Sequence, residues 1–394
     1  MDQSRTPLWE QIYSLPEMVS VCLPSFLQAA AEVLTPALAT PLRQVYIAGC
    51  GDSHMAAVGA ELAFHTLAGL PTRAATALHL ARYTVPFLPK AQGGSTLVIG
   101  VSVSGEVART VEAIRLARRA GALTIALTGA PQSRLALSSE HVLQTTIPPL
   151  PSPVHPPGVR SYMASLLMLY LAAVRIGQAR GTLSPADAAA ARDELQGMPE
   201  AIAATLRAND EAIAQVVTAW QDAREFVFLG AGPNYGTALF GAAKLLEASG
   251  DAALGQDTEE WAHLQYFARE PHTPTFIIDA RGRSYSRACE VAAAARAIGR
   301  RVVAVVPHGE TAIAAQAEAV FPVHGGVGTA PRVLGEAREA FSPLLYGLAG
   351  MLVANYRAQV LQETYFRAFG GGRSAREGGG ASRVQSSAIQ QELT

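Results

Sequence analysis

Short apolar runs alternate with amphipathic segments along most of the chain. In the first half, Val45–Ala48 is followed by a glycine turn and by a helical pattern from Ser53 to about Leu67. Further apolar runs at Thr96–Val101 and Leu123–Leu127 enclose a helical pattern at Val107–Ala120. Continuously apolar short strands are typical of parallel strands that are buried on both faces. The pattern therefore predicts an α/β fold.

A second stretch repeats this pattern roughly 180 residues further along. Phe226–Leu229 precedes the turn Gly230-Ala231-Gly232-Pro233 and a helical pattern at Tyr235–Ala248. Strand-helix pairs follow at Thr275–Ile278 with Ser286–Ile298, and at Arg301–Val306 with Thr311–Glu318. With right-handed crossovers, the repeat predicts two tandem three-layer α/β/α sandwiches, each with a mostly parallel sheet.

The same pattern predicts where the domains begin and end. Helices at Ser161–Gly177 and Glu200–Trp220 flank a polar, alanine-rich stretch at Gly181–Gln196, which is the predicted boundary. An N-terminal helix at about Met18–Val33, with Pro24 as an alternative start, precedes the first strand. The expected segments are an N-terminal helical segment (1–42), a first domain (43–190), a second domain (191–369) and a flexible glycine-bracketed tail (370–394).

Composition restricts the classes of partner. Hydrophobic residues make up 49% of the 394 residues, charged residues only 16%, and the formal net charge is -1. This balance gives no electrostatic basis for binding nucleic acid or an anionic membrane, whereas the apolar content favours an oligomer interface. The longest apolar run, Met163–Val174, is shorter than the roughly 20 residues that a membrane span needs.

Cysteine use and the N-terminus predict a cytoplasmic protein. Cys22, Cys50 and Cys289 form no CxxC pair and no zinc-finger spacing, so neither a disulfide framework nor a thiolate metal site is expected. The N-terminus lacks the basic-then-apolar pattern of a signal peptide. No metal or organic cofactor is expected.

The segment Ser102–Thr110 leaves one predicted strand and opens a helix. Its small hydroxyls, its glycine and the free N–H groups of a helix start suit a phosphate. The alternative is a plain N-terminal cap. The turn Gly49–His54 offers a second such loop, but His54 stands where a dinucleotide fingerprint needs its last glycine, so a plain strand-to-helix turn is the alternative there.

Lys244 and Glu247 lie three residues apart, and therefore on one face of a helix that is otherwise almost entirely apolar. A solvated ion pair is one interpretation. A buried pair is costly unless it has good partners or a chemical task, which favours a functional one. His263 follows sixteen residues after Glu247, and a histidine taken alone is more often a structural hydrogen-bonding residue than a catalyst.

Together these residues resemble the sugar isomerase (SIS) domain family, in the tandem form found in the isomerase half of glucosamine-6-phosphate synthase. The resemblance covers nearly the whole chain from Val45 onward. It is carried by Gly49-Cys50-Gly51-Asp52-Ser53, by the Ser-x-Ser-Gly-Glu of Ser102–Glu106, and by the spacing of Lys244, Glu247 and His263. No glutaminase-like nucleophile precedes Val45, so we expect an isomerase or deaminase module without an ammonia-producing half.

The resemblance implies a set of roles. Glu247 would be the base that moves a proton between C1 and C2 of the sugar, His263 would help to open the ring, and Lys244 would assist. His263 would come from the second subunit of a homodimer with a shared active site. The residues that would bind the sugar and its phosphate are Ser53, Ser102, Ser104 and Ser161.

Several positions depart from the family pattern. Val103 and Val107 replace residues that would hydrogen-bond phosphate, and Asp52 replaces a threonine. Thr110 and Arg160 are candidates to compensate on the phosphate, whereas Asp52 is a candidate to hold a substrate hydroxyl or amine. The tail segment Ser382–Ile389 lacks the lysine of the synthase and is predicted to act as a lid.

The sequence thus predicts a phosphosugar isomerase or deaminase that acts on a small-molecule sugar phosphate or amino sugar phosphate by aldose–ketose proton transfer. Three alternatives stay open. The first is a deglycase acting on a fructosamine phosphate, the second is a sensor that binds a sugar phosphate without turnover, and the third is an enzyme for an unphosphorylated sugar, which Val107 and Asp52 would allow.

Overall fold

Two five-stranded sheets form the centre of the molecule. The computed structural model describes residues 5–88, 95–152, 155–325, 339–363 and 365–366. The strands of the first sheet are β1 Gln44–Gly49, β2 Thr72–Thr76, β3 Thr96–Val101, β4 Leu123–Thr128 and β5 His141–Gln144. The strands of the second sheet are β6 Glu225–Gly230, β7 Ala252–Asp257, β8 Pro274–Ile278, β9 Arg301–Pro307 and β10 Ala319–Val323.

Helices cover both faces of these sheets. In the first half they are α1 Pro7–Tyr13, α2 Leu15–Val33, α3 Pro36–Ala39, α4 Asp52–Thr66, α5 Ala77–His79, α6 Ala108–Arg119, α7 Arg134–Ser138 and α8 Arg160–Arg180. In the second half they are α9 Pro185–Gln196, α10 Met198–Ala219, α11 Pro233–Ser249, α12 Thr258–His263, α13 Tyr285–Ala297 and α14 Pro343–Leu361.

Both sheets have the same strand order. The first runs β2-β1-β3-β4-β5 and the second β7-β6-β8-β9-β10, and all the neighbouring strands are parallel. The central strands β3 and β8 are buried at every position, as their unbroken apolar sequences require. The predicted fold class, two tandem three-layer α/β/α sandwiches with parallel sheets, is confirmed.

The strand order fixes where a ligand can bind. In each sheet the first strand in the chain lies between the second and the third. The chain therefore passes to one side of the first strand to form the second and crosses to its other side to form the third. Open α/β sheets bind ligands in the crevice beyond the carboxyl ends of the strands at such a reversal. In the first sheet, the crevice is bordered by the turn after β1 and the loop after β3.

Helix α8 is the central helix of the first half. It is long and apolar enough to cross a membrane, but 83% of its most apolar 18-residue stretch is buried inside the protein. There it packs against α2 and α4. The Tyr170 hydroxyl donates a hydrogen bond of 3.1 Å to the Gly59 carbonyl oxygen on α4. Its apolar surface therefore belongs to the core.

The two halves meet where α4 packs against α11. A Cβ added at Gly236 of α11 would lie 2.6 Å from the amide nitrogen of Gly59 and 2.7 Å from the carbonyl oxygen of Met55, both on α4. Only glycine allows two backbones to come this close. This contact brings the first turn of α4 to the side chains of α11.

The structure corrects two sequence-based expectations. Helix α2 begins at Leu15 and continues through Pro24, because the loss of one backbone hydrogen bond is offset by burying Leu23 and Phe26. The stretch at 181–196 contains the helix α9, and the domain boundary placed there stays a prediction. The predicted helix at Thr311–Glu318 is only a 3₁₀ turn at Ala314–Gln316, because Ile313 alone in that range is fully buried. The predicted tail and lid, 370–394, lie outside the described residues.

Candidate active site

Matching glycine turns start the two helices that carry the site. Gly51 before α4 has φ 55° and ψ -131°, and Gly232 before α11 has φ 54° and ψ -128°. Because side chains other than hydrogen disfavour this region, glycine is needed at both positions. The first turn places Asp52 and Ser53 in the opening turn of α4, at the carboxyl edge of the first sheet.

Lys244 joins the two halves through a pair of carboxylates. Its Nζ donates a hydrogen bond of 2.7 Å to Oδ2 of Asp52 and a second, very short one to Oε2 of Glu247. The Lys244 side chain is fully buried, whereas 26% of the Asp52 side chain and 33% of the Glu247 side chain are exposed. The ammonium is thus sealed beneath two carboxylates that border the crevice.

The cluster keeps Lys244 charged. Burial alone favours the neutral amine, but the carboxylates of Asp52 and Glu247 outweigh it and raise the pKa of Lys244 above its ordinary value. Lys244 is therefore an electrostatic partner of the carboxylates and not a proton acceptor. A buried lysine of this kind is tolerated because its charge is paired and hydrogen-bonded.

Two aromatic rings form the apolar side of this cluster. Lys244 Nζ lies 5.1 Å from the centre of the Phe240 ring, on which Tyr162 of α8 stacks at 3.6 Å. The Tyr162 hydroxyl is buried with no hydrogen-bond partner among the described residues. Burial, and then the charge of Asp52, raises the pKa of Tyr162 above its ordinary range, so the phenol stays protonated. Tyr162 was not among the predicted site residues, because nothing in the sequence pattern around it distinguishes it from a core residue.

The loop after β3 is held in one conformation. Gly105 has φ 64°, and a Cβ there would lie 1.9 Å from Oγ of Ser133. The Ser102 amide donates to the Leu127 carbonyl oxygen, while the Ser102 hydroxyl is buried with no partner among the described residues. Buried hydroxyls are normally hydrogen-bonded. The Ser102 hydroxyl is thus a buried polar group with unused hydrogen-bonding capacity among the described residues.

Neighbouring side chains support that loop. The Arg134 backbone amide donates to Oε1 of Glu106 at 3.0 Å, and Arg134 Nε donates to Oε2 at 2.6 Å. The hydrogen bond from the Arg134 backbone amide contributes most to holding the pKa of Glu106 below its usual range, and the Arg134 side chain adds to it. Ser104 accepts a hydrogen bond of 3.3 Å from the Glu106 amide and is exposed. The loop therefore presents one buried and one exposed serine.

The candidates for phosphate compensation lie in different places. Thr110 is fully buried in α6, with its Oγ1 3.9 Å from Sγ of Cys50. Arg160 begins α8 and is only 7% exposed. Burial lowers the pKa of Arg160, and the Cys22 thiol and the Glu17 carboxylate of α2 oppose that shift. Thr110 and Arg160 therefore both lie beside other side chains of the protein.

Two further arginines, Arg82 and Arg109, border the same edge of the sheet. Neither was predicted as a site residue. Glu112 of α6 is fully buried and pairs with Arg82 through a 2.9 Å contact, and with Arg109 through a very short one. Glu112 thus pairs with two guanidinium groups at the start of α6. No sequence motif joins them, because Arg82 belongs to a separate π-helical turn, Leu80–Thr84.

His263 lies apart from the lysine cluster within one chain. It is the last residue of α12, its side chain is 63% exposed, and its Nε2 lies 2.9 Å from Oε1 of Glu259. Glu259 also pairs with Arg287, and both partners lower the pKa of Glu259. The structure thus brings Asp52, Lys244 and Glu247 together, and records His263 with a different partner.

Ser53 and Ser161 lie in the first turns of two helices that border the cluster. Ser53 is largely buried in α4, and Ser161 is half-buried in α8, directly before Tyr162. Among the described residues there is no group of three or more His, Cys, Asp or Glu side chains that could hold a metal ion. The chemistry available from the cluster is proton transfer by a carboxylate held beside a fixed ammonium.

Comparisons with known proteins identify a family for the first half of the chain. Residues 40–175 match the SIS domain family. The isomerizing glutamine–fructose-6-phosphate aminotransferase of Gloeobacter violaceus is 30% identical over 290 residues, which are 74% of this chain and 46% of that protein. The chain thus spans about half the length of the curated relatives that it matches.

Solved structures share the fold at lower identity. The C-terminal domain of glucosamine-fructose-6-phosphate aminotransferase from Francisella tularensis is 19% identical with a TM-score of 0.78, covering 92% of this chain and 98% of that chain. The glucosamine-6-phosphate deaminase of Thermotoga maritima is 19% identical with a TM-score of 0.64, covering 91% of this chain and 94% of that chain. Residues 40–175 of this protein thus belong to the SIS domain family.

Proposed function

We propose that this protein is a phosphosugar isomerase or deaminase that acts on a sugar phosphate or amino sugar phosphate by 1,2-proton transfer. The observation that carries the proposal is the contact of Lys244 with Glu247 and Asp52 at the carboxyl edge of the first sheet. A partly exposed carboxylate held beside a buried ammonium is suited to accept and return a proton. The names of the relatives, which include an isomerizing aminotransferase and a deaminase, support the same class of chemistry.

In the proposed mechanism, Glu247 accepts a proton from one of the two carbons at the carbonyl end of the open-chain sugar and returns it to the other. Lys244, fully buried, fixes the orientation of that carboxylate and balances its charge. Glu247 stays accessible because 33% of its side chain is exposed. General-base catalysis of this kind contributes about 10²–10⁴-fold to a rate.

We propose that the loop after β3 and the start of α4 bind the phosphate. Ser102 offers a buried hydroxyl that lacks a partner among the described residues, while Ser104 and Ser53 flank it. The N-terminus of α4 adds backbone N–H groups and the positive end of a helix dipole. Thr110, Arg160 and Ser161 remain proposed contacts to the substrate.

We propose a homodimer that shares its active sites. His263 is largely exposed and pairs with Glu259, so the histidine of the reaction would be supplied to Glu247 by a second copy of the chain. In this proposal the second half, 191–369, is a second SIS domain beside the first, 43–190. The segment 1–42 packs as a helical addition, the segment 370–394 is a lid, and the protein works in the cytoplasm.

A ligand panel with assays tests the function. Thermal shifts are measured with hexose, hexosamine and N-acetylhexosamine 6-phosphates beside their unphosphorylated forms, and ammonia and ketose assays follow with every compound that binds. The proposal expects a phosphate-dependent shift together with turnover that Glu247→Gln abolishes. A shift without turnover would identify a sensor, and release of a free amino compound from a fructosamine phosphate would identify a deglycase.

A further inference from the structure

The cluster at the junction of the two halves carries one more carboxylate than its lysine needs. Asp52 and Glu247 each accept one hydrogen bond from the same Nζ of Lys244. Two carboxylates and one ammonium leave a net charge of about -1 when all three are ionised. A pair formed by Lys244 and Glu247 alone would already be neutral. Charge neutrality therefore does not explain the presence of Asp52.

We propose that Asp52 is a positioning residue that shares the Lys244 ammonium with Glu247 and so keeps Glu247 basic enough to accept a proton. This inference rests on the proposed function, because it concerns the base of that reaction. An ammonium bound to one carboxylate favours its ionised form and makes it a weaker base. A second carboxylate on the same ammonium opposes that effect, since like charges disfavour ionisation.

The geometry lets this coupling act strongly. Lys244 is fully buried, and the stacked rings of Phe240 and Tyr162 exclude water from its apolar side. Charges interact more strongly where water is excluded. Asp52 is fixed by its place in the first turn of α4, where the helix dipole favours a negative charge. The contact of Gly236 with α4 holds the two helices in register.

Several other ionisable groups on the elements around α11 have partners of their own. On α14, Arg357 pairs with Asp251, and Tyr356 donates to Asp210. Asp257 at the end of β7 accepts a hydrogen bond from the Glu259 amide. On α4, burial lowers the pKa of His54, whose Nδ1 has no hydrogen-bond partner among the described residues, and His65 lies beside Glu61. Tyr162 lies on α8 and Tyr346 on α14. Glu363 comes three residues before Phe366, whose amide donates to the Glu247 carbonyl oxygen.

A direct titration of Glu247 tests the inference without any substrate. The protein is labelled with ¹³C at glutamate side-chain carboxyls, and the Glu247 signal is the one lost in Glu247→Gln. Asp52→Asn keeps the size and an oxygen acceptor for Lys244 but removes the charge. We expect it to lower the titration midpoint of Glu247 by about one pH unit, and an unchanged midpoint would overturn the inference.

Two further variants separate charge from structure. Asp52→Glu keeps the charge and is expected to keep the wild-type midpoint, so it still tests the inference if Asp52→Asn does not fold. Glu211→Gln removes an exposed carboxylate on α10 and is expected to leave the midpoint unchanged. If Asp52→Glu shifts the midpoint as far as Asp52→Asn does, charge sharing is wrong.

Kinetics provide a second readout and separate the two proposals. With a substrate in hand, Asp52→Asn should move the acidic limb of kcat/KM to lower pH and reduce kcat severalfold, because a weaker base accepts the proton more slowly. A loss of kcat with an unmoved acidic limb would mean a merely structural role and would overturn the inference. A wild-type protein without turnover would contradict the proposed function, while the titration would still decide the role of Asp52.

Discussion

Gly236 lies so close to Gly59 that a methyl group on Gly236 would come within 2.6 Å of the Gly59 amide nitrogen. This contact between α11 and α4 is what allows Lys244 in the second half to reach Asp52 in the first. The site therefore depends on backbone packing well away from its charged groups.

Replacing Gly236 tests that dependence. Gly236→Ala should lower the free energy of unfolding by about 1–3 kcal/mol, because the new methyl group overpacks a contact that cannot relax by side-chain motion. Sugar-phosphate turnover should fall as well. Gly197→Ala is the matched control, because its Cβ would meet nothing closer than 3.5 Å. Urea unfolding measures both variants, and equal stabilities would contradict the packing account.

The conformation of the loop after β3 leads to a second prediction. Gly105→Ala combines a positive φ with a Cβ only 1.9 Å from Ser133 Oγ, so the loop must move. We expect sugar-phosphate binding to weaken at least tenfold in titration calorimetry. Gly121→Ala carries the same kind of backbone strain, with φ 84° but open space around its Cβ, and should bind normally. Normal binding by the Gly105 variant would exclude this loop from the phosphate site.

The Glu106–Arg134 pair predicts a dependence on pH. The folded protein holds the pKa of Glu106 below its unfolded value, so the pair stabilises the fold above the unfolded pKa of about 4.3 and loses that contribution as pH falls further. Glu106→Gln should therefore be less stable than wild type at pH 7, and the difference should shrink near pH 3.5. Unfolding curves at both values measure it, and a difference that stays constant would contradict the assignment.

Arg160 provides a test of phosphate recognition. If Arg160 compensates for Val103 and Val107, Arg160→Ala should weaken phosphorylated ligands selectively and leave unphosphorylated sugars unchanged. Arg175→Ala is a matched control, because it lies on the same helix about 22 Å further along its axis. Equal losses for both ligand classes would assign Arg160 to the packing against Glu17 and Cys22 instead.

Complementation tests the shared active site. Glu247→Gln and His263→Asn are each expected to be inactive as homodimers. When the two are unfolded and refolded together, mixed dimers would hold one site with both wild-type residues, and partial activity should return. A mixture that stays inactive, while refolded wild type recovers, would rule out a histidine contributed by the partner.

The sequence predicted the centre of the fold better than its edges. Strands β1, β3, β6, β8 and β9 were identified because their apolar runs are buried on both faces. The outer strand β2, Thr72–Thr76, was missed because only its first and fourth positions are buried and it contains Arg73. The same holds for the edge strand β7, most of whose positions are only partly buried.

Site prediction had a similar limit. The spacing of Lys244 and Glu247 placed them on one helix face, because that contact is local. Asp52 was identified as a candidate to hold substrate, but its contact with Lys244 joins residues 192 apart and depends on how α4 packs on α11. The contact of Tyr162 with Phe240 and the Arg82–Glu112–Arg109 cluster likewise form only when the chain folds.

The measurement that tests the central claim most directly is turnover by Glu247→Gln beside its binding of the same sugar phosphate. We predict that the variant keeps the thermal shift caused by the ligand, because the phosphate loop is untouched, and loses at least about a hundredfold in kcat, because the proton acceptor is gone. Undiminished turnover in the Glu247→Gln protein would contradict the assignment of the base.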